Sequence, residues 1–235
     1  MIATVINVAL VLLGSALGLV FKNLISERLM TILTHAMGLC VLGIGISSMT
    51  GTQNMLCVIV CMVVGTVIGN AVDIELRLER AGDLLRAKLV KGDGDSRFTE
   101  GFVTASLLFC VGAMAITGSI DAGLNQRYET IISKGVIDGV TSVSFAATMG
   151  IGVAFSTIPI LIYQGGITLL AEWVGPYLPE AVITEMTAVG GALIVALAVN
   201  VLELGKAKIK VGNMLPAIFL PIAYIPLANW LGSLF

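Results

Sequence analysis

The chain has 235 residues, 57% of them hydrophobic and only 12% charged, with a mean hydropathy of +1.01. That balance lies far from the apolar and charged shares of a water-soluble domain, so water is not its main solvent. A net charge of -2 offers neither the basic face nor the basic arm that nucleic-acid binding needs, which sets that partner class aside.

Apolar stretches fall at 2–21, 30–48, 53–72, 101–118, 134–150, 152–172, 182–203 and 211–233. Each is close to the roughly 18 to 20 residues that cross a bilayer core as a helix. Strands are a poor alternative: an open sheet leaves backbone groups unpaired in lipid, and the runs lack barrel-type alternation. The expected fold is an all-α, polytopic helix bundle: one integral membrane domain over 1–235 with about eight spans, one or two of them broken or kinked. The first run has no basic residue before it and exceeds a usual signal-peptide core of about 7 to 15 residues, so it reads as a span.

Span 1 carries Asn7 and the pair Gly14/Gly18; span 3 carries Gly65/Gly69. Small residues four apart let backbones approach closely, either within one protomer or in a homo-oligomer. Both spans are followed by a charged segment containing Glu-Arg, which hints at duplication, although the two run in the same direction and so do not suggest an inverted repeat. Cys40, Cys57, Cys61 and Cys110 sit inside apolar runs with no CxxC pair, and read as small hydrophobes rather than metal ligands.

The segment 73–100 is the one long polar piece, and Ile74, Leu78, Ala81, Leu85 and Leu89 repeat within it at helical spacing. It is expected to form an amphipathic helix, lying on the cytoplasmic membrane surface or docking a partner. Residues 91–97, with Gly92 and Gly94, read as a tether. In the run Gly112 to Gly123, three glycines and a Ser-x-Asp interrupt the end of span 4. A broken helix there would present Thr117, Ser119 and Asp121 to a solute path; an ordinary outer loop is the alternative.

Span 5 carries Lys134 and Asp138 four residues apart on one face, continued by Thr141, with Ser142 and Ser144 nearby. Ionisable groups at membrane depth are costly and mark functional candidates. The pair could bind a substrate or ion, or simply fix helix packing. Glu185, near the outer start of span 7, could reach headgroups, and the lone His35 could bond a neighbouring helix. The stretch 134–172 is either two spans joined at 150–152 or one long bent helix.

Loop charge decides between these. Basic residues gather after span 1 (Lys22, Arg28), after span 3 (Arg77, Arg80, Arg86, Lys88, Lys91, Arg97) and before the last span (Lys206, Lys208, Lys210). All three groups share the cytoplasmic side only if 134–172 crosses twice, which puts both termini outside. Trp173, Tyr177, Tyr224 and Trp230 near span ends fit interfacial positions. Gly212 to Pro216, with Pro221 and Pro226, should kink span 8 and place Asn213 at a helix cap. Asn70, Gln164 and Asn200 add neutral polar groups that either line a path or join helices.

No GxSxG, HExxH or Walker-type loop is present, and a single histidine excludes a multi-His metal centre, so neither an enzyme nor a bound cofactor is expected. The chain resembles the YdfK/YqgA-like bacterial inner-membrane proteins, a family catalogued as domain of unknown function 554. The resemblance rests on Asn7 with Gly14 to Gly18, Leu42 to Ile46, Leu108 to Cys110 with Gly112 and Gly118, Lys134 with Asp138, Gln164, Ala188 to Gly191, and Asn213 to Pro216. It implies a bacterial cytoplasmic-membrane location and a transport role without a known substrate.

The expectation is therefore a secondary transporter or facilitator of a small solute or ion, with membrane lipid as its other partner. Its expected binding residues are Asn7, Thr117, Ser119, Asp121, Lys134, Asp138, Thr141, Gln164 and Asn213. The alternatives are a scaffold working through segment 73–91, or an ion channel.

Overall fold

The computed structural model describes residues 1–22, 26–89 and 97–232; the tether expected at 91–97 lies outside them except for Arg97. The described residues form α1 (Ile2–Lys22), α2 (Glu27–Thr50), α3 (Met55–Val72), α4 (Ile74–Leu89), α5 (Phe98–Cys110), α6 (Ala113–Leu124) and α7 (Glu129–Met149). Then follow α8 (Gly152–Phe155), α9 (Thr157–Leu169), α10 (Ala171–Val174), α11 (Glu180–Val201) and α12 (Pro221–Gly232), with 3-10 segments at Gly175–Tyr177 and Val211–Phe219. No strand occurs among the described residues. The chain is an all-α membrane helix bundle.

Five stretches are long and apolar enough to span: α1, α2 from Arg28, α3, Gly152–Leu169 and α11. Two bent pairs, α5 with α6 at 60° and Val211–Phe219 with α12 at 46°, raise the count to seven. The eighth expected span is α7, a full 21-residue helix that stays outside that count. Lys134, Asp138 and its hydroxyl residues dilute its apolarity, although Val136, Ile137 and Val140 are exposed on its other side. The single expected break in the Gly112 to Gly123 run falls at Gly112 alone, whose φ of 130° only glycine adopts readily; the helix then runs unbroken through Gly118.

The stretch 134–172 doubles back. Gly150 turns the chain with a φ of 84°, and Gln164 on α9 returns to the level of Asn7 beside Asp138 on α7. A single long helix could not do this.

Three helix pairs build the bundle, and small residues set each. At Gly14 and Gly18 of α1 an added Cβ would come closer than 3.0 Å to the backbone oxygens of Gly139 and Val143 on α7, so the two helices run parallel. Gly45 of α2 meets Val195 of α11 and Gly38 meets Leu202, an antiparallel pair; Gly65 and Gly69 of α3 meet Ala217 and Asn213, also antiparallel. Both pairs of small residues expected as packing seams are thus filled from within the same chain. An oligomer would have to use other surfaces.

The pairings gather Lys22, Arg97 and Lys208 at one end of the bundle, where Arg97 donates to the Thr148 carbonyl at 3.1 Å and Lys208 pairs with Glu100 at 2.9 Å. We refer to this as the basic end. The short loops carrying Thr52 and Tyr128 lie at the far end. At the basic end α4 is docked: Asp83 accepts from Thr99 at 2.9 Å, and the Glu75 N–H donates to Asn213 Oδ1 at 2.8 Å.

The close α1–α7 contact makes a directional test. Gly14→Val forces the helices apart and should destabilise by about 1 to 3 kcal/mol or more, as overpacking does. Gly43→Ala, with nothing within 4 Å of its Cβ direction, should leave the midpoint unchanged or slightly raised. Thermal unfolding of both variants in detergent measures the contrast.

Candidate functional site

Lys134, Asp138 and Ser142 recur every four residues, which places them on one face of α7. That face turns inward, and both charged residues are only 6% exposed. The Lys134 ammonium pairs with Asp138 Oδ2. From α1, Asn7 Nδ2 donates to the same Asp138 oxygen at 3.3 Å and to Gln164 Oε1 of α9 at 3.0 Å. Asn7 and Gln164 are fully buried. Four of the expected residues, on three helices far apart in sequence, thus form one network near the middle of α7.

The network is incompletely satisfied. Among the described residues, six buried side-chain atoms find no hydrogen-bond partner: Thr4 Oγ1, Asn7 Oδ1, Ser15 Oγ, Ser119 Oγ, Gln164 Nε2 and Thr168 Oγ1. Thr4 lies one turn before Asn7 on α1, and Thr168 one turn beyond Gln164 on α9. Gly123 of α6 abuts the Thr168 backbone, so Ser119, one turn earlier on α6, comes level with Gln164. Of the six, Asn7 touches the ion pair and Gln164 bonds Asn7, while Thr4, Ser119 and Thr168 continue from these two toward the far end. Ser15 stands apart, farther along α1.

The other expected site residues are not in this cluster. Thr141 is only half-buried, and its hydroxyl bonds back to the Ile137 carbonyl at 2.8 Å. Asn213 does not cap span 8: its amide oxygen caps the start of α4 through the Glu75 N–H, because Gly69 draws that backbone against α3. Thr117 and Asp121 face the far end, where they line a cavity of about 490 Å³ with Ser48, Glu180, Thr184 and Thr187. Asp121 also accepts from Asn125 at 3.0 Å.

Glu185 does not reach for headgroups. It is 2% exposed and binds the α2–α3 turn, accepting from the Thr52 hydroxyl at 2.6 Å and from the Gln53 and Asn54 N–H groups at 2.8 and 3.1 Å. His35 is exposed and lines a cavity of about 640 Å³ at the basic end with Lys22, Arg97, Glu100 and Glu203. A third, apolar cavity of about 350 Å³ lies between α5, α9 and the 3-10 segment, lined by Cys110, Tyr163 and Leu215 among others. None of these three cavities is lined by Asn7, Lys134, Asp138 or Gln164, although Cys110 lies between the apolar cavity and Asp138.

Sequence reasoning missed Thr4 and Thr168. Their signal was present as spacing: Thr4 precedes Asn7 by three residues and Thr168 follows Gln164 by four, each on the face of a residue already singled out.

The profile of the family described as "Protein of unknown function (DUF554)" matches residues 2–225. The chain belongs to that family. It is 32% identical over 225 residues to the "Uncharacterized membrane protein YdfK" of Bacillus subtilis (strain 168), covering 94% of each chain. It is 30% identical over 219 residues to the "Uncharacterized protein YqgA" of Escherichia coli (strain K12), covering 92% of each. No solved structure matches significantly. The expected family membership and membrane character therefore hold along nearly the whole chain.

Removing one member of a buried ion pair leaves an uncompensated charge, which is far worse than removing both. Lys134→Met should destabilise by about 3 to 5 kcal/mol. The double variant Lys134→Met/Asp138→Leu should recover most of that loss, and the unfolding midpoints of the two proteins test the coupling directly.

Proposed function

We propose that this protein carries a small solute or ion across the bacterial cytoplasmic membrane by alternating access, with Lys134, Asp138, Asn7 and Gln164 as its binding centre. One observation supports the reading above the others: an ion pair and two amides with unused hydrogen-bonding capacity, enclosed between helices near the middle of α7. Ionisable groups in that position are expensive, and they persist where they meet a transported species. Asp138 is the carboxylate that takes the coupled ion, Lys134 its counter-charge or the anchor of an anionic group, and Asn7 a neutral contact. A buried centre that neither end cavity reaches fits the occluded stage of such a cycle, with the cavities at Thr117/Asp121 and at Arg97/Glu100 as its two mouths. The break at Gly112 and the bend before Pro221 supply places where helices can pivot.

The basic end faces the cytoplasm in this reading, following the distribution of Lys and Arg, and both termini lie outside. In a cysteine-free background, a single cysteine at Tyr128 should react with a membrane-impermeant maleimide in intact cells and one at Lys208 should not. The reverse pattern would invert the topology.

Proteoliposomes loaded with a panel of small solutes test transport itself. Wild-type protein should give counterflow of at least one solute, and Asp138→Asn should abolish it. Flux that survives the substitution removes Asp138 from the mechanism.

A further inference from the structure

The orphaned polar atoms are unevenly placed. Five of the six lie between the Lys134–Asp138 pair and the far end, drawn from α1, α6 and α9, and all five belong to side chains that are less than a tenth exposed. A buried hydroxyl or amide without a partner is destabilising, and such groups ordinarily hold bound water where the site is polar. Their order along the fold is directional. Asn7 stands against Asp138 with Gln164 behind it, while Thr4, Thr168 and Ser119, whose neighbour Gly118 packs on Thr130 and Ile131, lie nearer the far end, on the side where Met1 meets Gly165.

The chemistry of the centre also selects among ions. A hard metal cation takes about six or more oxygen ligands. Here one carboxylate is available, and the Lys134 ammonium sits against it. Among the described residues, no three His, Cys, Asp or Glu side chains converge. A metal cation would have to lodge whole beside that ammonium and be repelled by it, whereas a proton is taken up by one carboxylate oxygen along a hydrogen-bonded route.

We propose that Thr4, Asn7, Ser119, Gln164 and Thr168 hold a short file of bound water through which Asp138 exchanges protons with the far end of the bundle, making the proton the ion this centre takes. The inference deepens the carrier reading and rests on it for the site. Hydronium at the far end gives its proton to the file and becomes water; successive transfers add one proton to a carboxylate oxygen of Asp138. Neutral Asp138 releases Lys134 from its ion pair, and the reverse transfer restores it. The titratable groups facing Asp138 are Lys134 on the same helix and Cys110 at the end of α5; α1 contributes the neutral Asn7 and α9, behind it, the neutral Gln164.

Infrared difference spectra of the full-length protein in lipid bilayers, taken between acid and alkaline pH, read the proton directly. The wild type should show the carbonyl stretch of a protonated carboxyl that Asp138→Asn removes and Asp138→Glu displaces. After a switch to heavy water, exchange of that band should slow in Thr4→Val and Thr168→Val, which keep the side-chain shape. Spectra in which Asp138→Asn removes nothing overturn the proton assignment, as does a band that sodium displaces at constant pH. Exchange that is unaltered in both threonine variants overturns the water file. A carrier coupled to some other ion would lack the band and still show solute flux, so the two readings fail separately.

Discussion

Opposite charges enclosed in a bilayer offset each other's cost of leaving water, and much of this bundle is arranged around one such pair. Lys134 and Asp138 are held by spacing along α7, but spacing does not hide them from lipid. Hiding them takes α1 on one side and α9 on the other, each with a single amide aimed at the carboxylate or its neighbour. The glycines at the α1–α7 contact follow from this: a short, buried Asn7 side chain can reach Asp138 only if the two backbones nearly touch, and any Cβ at Gly14 or Gly18 would hold them apart.

The same use of small residues recurs at the α2–α11 and α3–Val211–Phe219 contacts, with a different outcome. There the close approach brings no charge to the middle of the membrane. At α3 it draws Asn213 to the start of α4, tying the polar surface helix to the last span. At the far end of α11, Glu185 ties down the α2–α3 turn through three hydrogen bonds. Both residues are polar, buried and engaged in structural hydrogen bonds, whereas the groups around Asp138 are buried and partly idle.

That distinction marks where the sequence was legible. Helical spans, the doubling back of 134–172 and the Lys134–Asp138 pairing follow from run length, loop charge and four-residue spacing, all local quantities. Asn7 and Gln164 stood out as polar residues on apolar helices, but their meeting depends on which helices pack together, and 157 residues separate them. Asn213 and Glu185 were indistinguishable from them on the same grounds. Only the partner decides whether a buried polar residue caps a helix, ties a turn or faces a ligand, and partners are tertiary facts. Thr141 was misplaced for a smaller reason: three residues beyond Asp138 the helix has turned about 60° short of a full circle, enough to leave the hydroxyl bonding its own backbone.

The parallel α1–α7 pairing bears on how the molecule is made. Parallel neighbours cannot be joined by a tight hairpin, and here more than a hundred residues, including the whole of α2 to α6, are synthesised between Lys22 and Glu129. Helix α1, made well before α7, must therefore wait for its principal mate, with Asn7 and its glycine groove unmated until α7 has been inserted. Assembly of this bundle is consequently late and non-local, and a chain interrupted before α7 would retain an unsated polar notch that membrane quality control can recognise.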